Sequence, residues 1–115
     1  MGNVIALKDR RKSTRVLVQI PAVASVGNLT MEGLILDMSD LGVFFTPSTM
    51  YVDGRFLTDQ DEMVDELAMG DVIDVQPVGS LLCGAHRGTV KWLGASHDVL
   101  GVGVGFQQDA VRVSA

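Results

Sequence analysis

Two short segments of the chain contain the side chains whose types and spacing suggest ligand chemistry. The first, which we call the basic segment, is residues 8–15 (KDRRKSTR) and holds five of the nine Lys and Arg residues. The second is residues 37–42 (DMSDLG), a polar turn between two apolar runs. Guanidinium groups pair bidentately with phosphate oxygens or guanine edges, and a carboxylate, a hydroxyl and a glycine can form a compact polar pocket. Together the segments indicate a ligand that carries both negative charge and an aromatic base.

The sequence contains no residue pattern typical of an enzyme active site. Ser39 has no evident base and no nucleophile-elbow sequence around it, and the carboxylates form no identifiable acid–base pair. His86 and His97 have no cysteine or carboxylate neighbours at metal-ligand spacing, so we interpret them as surface or turn residues. We therefore expect a binding protein rather than an enzyme, with no metal and no cofactor.

The basic side chains are concentrated at the start of the chain. Residues 1–15 carry five basic groups and one acid, a net charge of +4. Residues 16–115 carry four basic groups and thirteen acids, a net charge of −9. A protein that coats nucleic acid usually presents a basic face on its folded body. The distribution favours a local anion site and argues against DNA or RNA as the partner.

Length and composition predict one folded domain without a membrane segment. The chain has 115 residues, of which 47% are hydrophobic, enough for a single core. The lone Cys83 excludes an intrachain disulfide and is interpreted as a small core residue, which suits a reducing compartment. No window approaches the roughly 18 apolar residues that a membrane helix needs. We expect a cytoplasmic protein that does not insert into a membrane.

Alternating and β-rich stretches predict six short strands joined by tight turns. The predicted strands lie near residues 15–26, 30–36, 43–46, 72–75, 81–93 and 99–106, the fifth with a bulge at a glycine. Tight turns imply antiparallel pairing. Pro47 is expected to end the third strand, followed by irregular chain over residues 47–58. A short helix is predicted over residues 59–69, with Asp59 as its N-cap.

Glycines in the last predicted strand indicate a tightly curved sheet. Gly101, Gly103 and Gly105 alternate with apolar residues and should share one face of the strand. Such a face suits close backbone approach or a curved wall. We therefore predict an all-β fold, a small six-stranded antiparallel β-barrel with one short inserted helix. Residues 1–14 would be a flexible basic arm, residues 15–107 the barrel domain and residues 108–115 a tail.

At this point the residues resemble a known family. Residues 11–15 (RKSTR) match R-x-x-x-R, and residues 37–42 match D-x-S-x-x-G. In this order, flanking the first strand and hairpin, they resemble the two signatures of the PilZ domain. Residues 90–92 (VKW) and 101–106 (GVGVGF) resemble the late strands of that family, so the resemblance covers roughly residues 10–107. The family folds as a six-stranded antiparallel β-barrel and includes bacterial receptors for cyclic di-GMP.

The resemblance implies a ligand site for cyclic di-GMP. Its predicted members are Arg10, Arg11, Arg15, Asp37, Ser39, Gly42 and Trp92. Arg11 and Arg15 would contact guanine and phosphate groups, with Arg10 as a third contact. Asp37 would accept hydrogen bonds from guanine N–H groups, and Ser39 would donate to a phosphate or cap its turn. Gly42 would permit a positive φ or a close backbone approach. Trp92 is interpreted either as a core residue or as an indole that borders the ligand.

The resulting hypothesis is a cyclic di-GMP receptor that acts by changing shape. The basic arm would close over the ligand, and an unidentified effector protein would read the change. Two alternatives stay open. One is a PilZ-like adaptor that binds protein and no nucleotide, through the acidic residues 59–66 or the glycine-faced strand. The other is a small-barrel module that binds nucleic acid through its basic arm.

Overall fold

The structure, a computed structural model, describes residues 16–79 and 86–106. Within these ranges seven strands and one helix follow in chain order: β1 Val16–Val26, β2 Leu29–Ser39, β3 Gly42–Val52, β4 Arg55–Leu57, α1 Gln60–Asp65, β5 Val72–Pro77, β6 His86–Ser96 and β7 Val99–Phe106. Four sets of predictions lie outside the described residues: the basic arm with its arginines, the start of the fifth predicted strand over residues 81–85, the core position of Cys83, and the C-terminal tail.

Six of the strands form a closed ring. Neighbours pair in the order β2-β1-β5-β6-β7-β3, and an additional pairing joins β3 back to β2. Every pairing is antiparallel. The seventh strand, β4, pairs with the end of β3 as a short hairpin. The mainly β fold and its ring of antiparallel strands are therefore confirmed, in an arrangement compatible with the predicted small barrel.

The core fills the inside of the ring with alternate residues from each strand. Its members include Ala22, Met31, Ile35, Phe45, Met50, Ile73, Val75, Val90, Val102 and Val104. Met63 of α1 and Leu67, just after that helix, belong to the same cluster. Val102 and Val104 point inward, so the alternating glycines of β7 point outward, and the prediction that these glycines share one face is confirmed.

The helix begins where the sequence predicts but ends earlier. Asp59 caps it, since its Oδ1 accepts from the backbone N of Asp61 at 2.8 Å. The helix ends at Asp65 rather than at residue 69, because the N–H groups of Glu66 and Leu67 donate to carbonyls only three residues back and that of Ala68 donates to the Asp71 side chain. Gly70 has a positive φ of 88°, and its N–H donates to the Val90 carbonyl at 2.8 Å. In the described part of the chain no helix is long and apolar enough to cross a membrane.

The prediction of irregular chain over residues 47–58 was wrong. Strand β3 continues through Pro47 to Val52 and then pairs with β4. Pro47 is tolerated because it lies at a register shift against β2, beyond the last residue of β3 that pairs with β7. The Asp53–Gly54 turn has φ values of 51° and 76°, the left-handed pair of a type I′ hairpin.

One glutamine ties the helix to two strands. The Gln60 amide nitrogen donates to Thr46 Oγ1 at 3.0 Å and to the Pro47 carbonyl at 3.1 Å. Its amide oxygen accepts from the Leu100 backbone N at 3.3 Å. Thr46 Oγ1 in turn donates to the Leu100 carbonyl at 2.8 Å. These bonds join β3 to β7 beyond the last ladder pair between them.

An ion pair on the surface joins neighbouring residues of β5 and β6. Arg87 donates to both oxygens of Asp74, at 2.9 and 3.3 Å. These hydrogen bonds hold the pKa of Asp74 below its usual value and raise the pKa of Arg87. Both side chains are exposed, so the pair adds little to stability.

Candidate functional site

A groove of about 570 Å³ lies on the outside of the ring. We call it the outer groove. Its walls and floor include Leu17, Asp37, Phe44, Lys91, Trp92 and His97. It therefore gathers side chains from β1, β2, β3 and β6 and from the β6–β7 turn.

Strand register explains why these residues meet. Leu17 pairs with Asp37, and Asp37 pairs with Phe44. Phe44 pairs with Gly103, which pairs in turn with Trp92. One continuous row therefore crosses five strands of the ring. Residues far apart in sequence lie side by side because each occupies the same level of the sheet.

A bulge in β2 turns Asp37 outward. Ile35 pairs with Phe45 and points into the core, and simple alternation would point Asp37 inward as well. The register shift at Leu36 adds one residue, so Asp37 pairs with Phe44 on the outer face instead.

A second bulge, in β6, turns Trp92 to the outer face of the sheet. Val90 lies in the core opposite Val104, while Trp92 lies opposite Gly103, so Lys91 is the extra residue. Lys91 and Trp92 are therefore neighbours on the outer face. The interpretation of Trp92 as a core residue was wrong, since the residue is 41% exposed. The sequence predicted a bulge at a glycine; in the described part of β6 the register shift lies at Lys91, and Gly84 lies outside the described residues.

Gly103 and Gly105 of β7 line the floor of the groove, and Gly101 continues the same face of the strand. A Cβ on Gly103 would collide with the indole nitrogen of Trp92. A Cβ on Gly101 would lie 2.7 Å from the Phe44 ring, and one on Gly105 would lie 2.8 Å from Lys91 Cε. From Gly101 to Gly105 the strand has no side chains on this face, because neighbouring atoms, among them the Phe45 carbonyl oxygen beside Gly101, occupy the space.

Phe44 and Trp92 make an aromatic shelf above that floor. Their ring centroids are 5.3 Å apart and their planes differ by 15°, a stacked arrangement. Phe44 is 1% exposed, so Trp92 presents most of the accessible aromatic surface. Such a surface suits stacking of a planar base.

Asp37 and His97 form a hydrogen-bonded pair beside the shelf. Asp37 Oδ2 and His97 Nε2 are 2.8 Å apart, and Asp37 is 7% exposed. His97 and Asp98 have φ values of 56° and 66°, which place them in a type I′ turn between β6 and β7. The prediction that His97 is a turn residue is confirmed, but its contact with Asp37 was missed. No sequence signal connects two residues sixty positions apart.

The remaining predicted residues of the D-x-S-x-x-G segment have structural partners. Ser39 Oγ accepts from the backbone N of Leu41 at 3.1 Å and so caps the turn. Gly42 lines the groove, and a Cβ there would collide with the Val104 carbonyl, so this position requires close approach to β7. Neither contact excludes a ligand at the adjoining groove.

Of the seven residues predicted to bind ligand, three line the outer groove: Asp37, Gly42 and Trp92. Ser39, the last residue of β2, caps the turn that leads to Leu41 and Gly42 of the groove. Arg10, Arg11 and Arg15 lie outside the described residues. Lys91 and His97 line the groove although the sequence analysis gave them no ligand role.

The chemistry of the groove suits a planar ligand with an anionic group. It combines an aromatic shelf, a carboxylate–imidazole pair and a lysine. Among residues 16–79 and 86–106, no group of three or more His, Cys, Asp or Glu side chains could hold a metal ion. No protein-family model matches the chain, and no curated protein matches it.

Proposed function

We propose that the protein is a receptor for cyclic di-GMP that acts by binding alone, in the cytoplasm, and relays the signal to an effector protein. One observation carries the proposal. The row across the sheet brings Asp37 of the D-x-S-x-x-G segment and Trp92 to one groove, and its other end is Leu17, near the start of β1. The R-x-x-x-R segment ends immediately before that strand.

The size of the groove and the nearby charges support a nucleotide ligand. A volume of about 570 Å³ falls within the range of roughly 300–1,000 Å³ usual for small-molecule sites. The shelf suits guanine, and a carboxylate can accept guanine N–H donors in addition to its bond with His97. Arg15 precedes Leu17 by two residues, at most about 7 Å of chain, and Arg11 precedes it by six, at most about 22 Å. Both arginines are therefore within reach of a ligand in the groove.

The proposed relay uses the basic segment. Its arginines would bind the phosphates or guanine edges of the ligand from the side opposite the shelf. Fixing this segment on the ligand costs conformational entropy, but it also changes the surface that an effector protein meets.

Calorimetric titration of the full chain with cyclic di-GMP tests the proposal. We expect saturable binding by the wild type and at least tenfold weaker binding by Arg11→Ala and by Arg15→Ala, because a hydrogen bond to a charged group contributes about 1.5–3 kcal/mol. Arg55→Ala is the matched control, since Arg55 is exposed and pairs with Glu66 at 3.0 Å instead of lining the groove. Absence of heat with the wild type would contradict the proposal, as would unchanged affinity in both arginine variants.

A further inference from the structure

The outer groove has a fixed order of chemical groups along β7. The Phe44 ring lies over Gly101, the Trp92 indole over Gly103 and the Lys91 stem over Gly105. His97 extends the order at the Gly101 end, with its ring 5.6 Å from the Phe44 ring. Gly101 and Gly105 are four residues apart on a strand, about 13 Å. An acceptor-rich pair and a cation are therefore separated by an aromatic surface.

Lys91 supplies the positive charge at one end. It is the only Lys or Arg among the groove-lining residues of the described ranges. The aliphatic part of the Lys91 side chain lies across Gly105, next to the aromatic shelf. The bulge places Lys91 beside Trp92 on the outer face. An ammonium group in this position suits a phosphate.

His97, in the turn before β7, defines the other end and reaches Asp37 across the sheet. His97 Nε2 lies 2.8 Å from Asp37 Oδ2, and the imidazole also lies against the Phe44 ring. These two contacts of the imidazole set the orientation of the Asp37 carboxylate. A carboxylate accepts hydrogen bonds and cannot donate them. Guanine presents N1–H and N2–H donors to such a group, whereas adenine presents an N1 lone pair, which a carboxylate repels.

We propose that the groove holds a guanine nucleotide in one direction, with the base on Trp92, its N–H edge toward Asp37 and His97, and a phosphate toward Lys91. Lys91 is then a further ligand-binding residue, and His97 is a positioning residue that orients the Asp37 carboxylate and so favours guanine over adenine. This inference rests on the proposed function, since it assumes that the nucleotide binds in the outer groove.

Titrations with cyclic di-GMP and cyclic di-AMP, on Lys91→Met and His97→Asn, test the direction. Trp92 is the only tryptophan of the chain, so its emission reports on the groove directly. We expect Lys91→Met to weaken both ligands five- to tenfold and to make binding less dependent on salt, while the ligand still quenches Trp92. We expect His97→Asn to reduce the guanine-over-adenine preference about tenfold. Asparagine is chosen because it tolerates the positive φ of the turn.

Two controls match these changes. Arg87→Met removes an exposed cation from the same strand, away from the groove, and Asp98→Asn alters the neighbouring turn position. Both should bind as the wild type does. If the wild type binds cyclic di-GMP but Lys91→Met and His97→Asn behave like their controls, the inferred direction is wrong and the proposed function stands. If the wild type binds neither nucleotide, the proposed function itself is contradicted. Lys91 is exposed, so its variant tests the direction even if His97→Asn does not fold.

Discussion

At the scale of single residues, the outward glycines of β7 are not equivalent. Gly103 meets a rigid indole, whereas Gly105 meets the flexible stem of Lys91. A methyl group added at either position must displace its neighbour. The indole is held by Phe44 and cannot move without breaking the stack, but a lysine stem can take another rotamer.

We therefore expect Gly103→Ala and Gly105→Ala to differ although the chemical change is identical. Gly103→Ala should lower the free energy of unfolding by about 1–3 kcal/mol, the usual cost of overpacking, and should shift Trp92 emission. Gly105→Ala should change stability by less than about 1 kcal/mol and leave the emission unchanged, since removal of a strand glycine partly offsets the displacement. Urea unfolding and emission spectra measure both quantities. Equal effects of the two changes would show that the indole does not lie on Gly103.

The sequence singled out Asp37, Gly42 and Trp92 of the groove lining but not Lys91 and His97, and it did not give the faces that Asp37 and Trp92 occupy. Alternation assigns Trp92 to the same face as the buried Val90, and Asp37 to the face of Ile35. Each assignment is reversed by one inserted residue in the strand. A bulge depends on pairing with the neighbouring strand, which a local pattern does not contain.

At the scale of elements, most strands and the helix N-cap followed from local pattern. The extension of β3 through Pro47 did not, because proline is accepted there only where the neighbouring ladder has ended. The β3–β4 hairpin was predictable in principle, since Asp-Gly is a strong type I′ signal. The early end of the helix coincides with a local side-chain bond, in which Asp71 accepts from the Ala68 backbone N, that the sequence analysis did not weigh.

The seam between β3, β7 and the helix yields a prediction of its own. Gln60→Ala removes two hydrogen bonds donated by the amide and one that it accepts from Leu100 N. The groups that lose their partner are partly buried, so we expect the free energy of unfolding to fall by about 1–3 kcal/mol. Gln76→Ala, an exposed change on β5, should alter it by no more than about 0.5 kcal/mol. Urea unfolding compares the two, and equal stability of both variants would contradict the role given to Gln60.

At the scale of the whole molecule, ring closure links the groove to the core. Each of the six ring strands has a partner on both sides, and the groove row crosses five of them. Separating the strands that carry the groove residues therefore requires breaking the hydrogen-bond ladders that also enclose the core.

This arrangement predicts a single cooperative unfolding transition. The midpoint measured by Trp92 emission should coincide with the midpoint measured by far-UV circular dichroism, because the outer surface and the strands are lost together. Urea titration followed by both signals is the measurement. An emission change at clearly lower urea would show that the groove opens before the ring does.

The bulge at Lys91 also has a consequence for how such a groove could diverge between related chains. Deleting Lys91 would let Trp92 follow Val90 directly, still opposite Gly103, so the aromatic shelf and every downstream pairing of β6 would keep their places. The loss of one codon would thus remove the only Lys or Arg side chain that the described residues bring to the groove, while leaving its other contacts in register. Variation in strand length, as well as substitution, gives descendants of this chain a route to a different ligand.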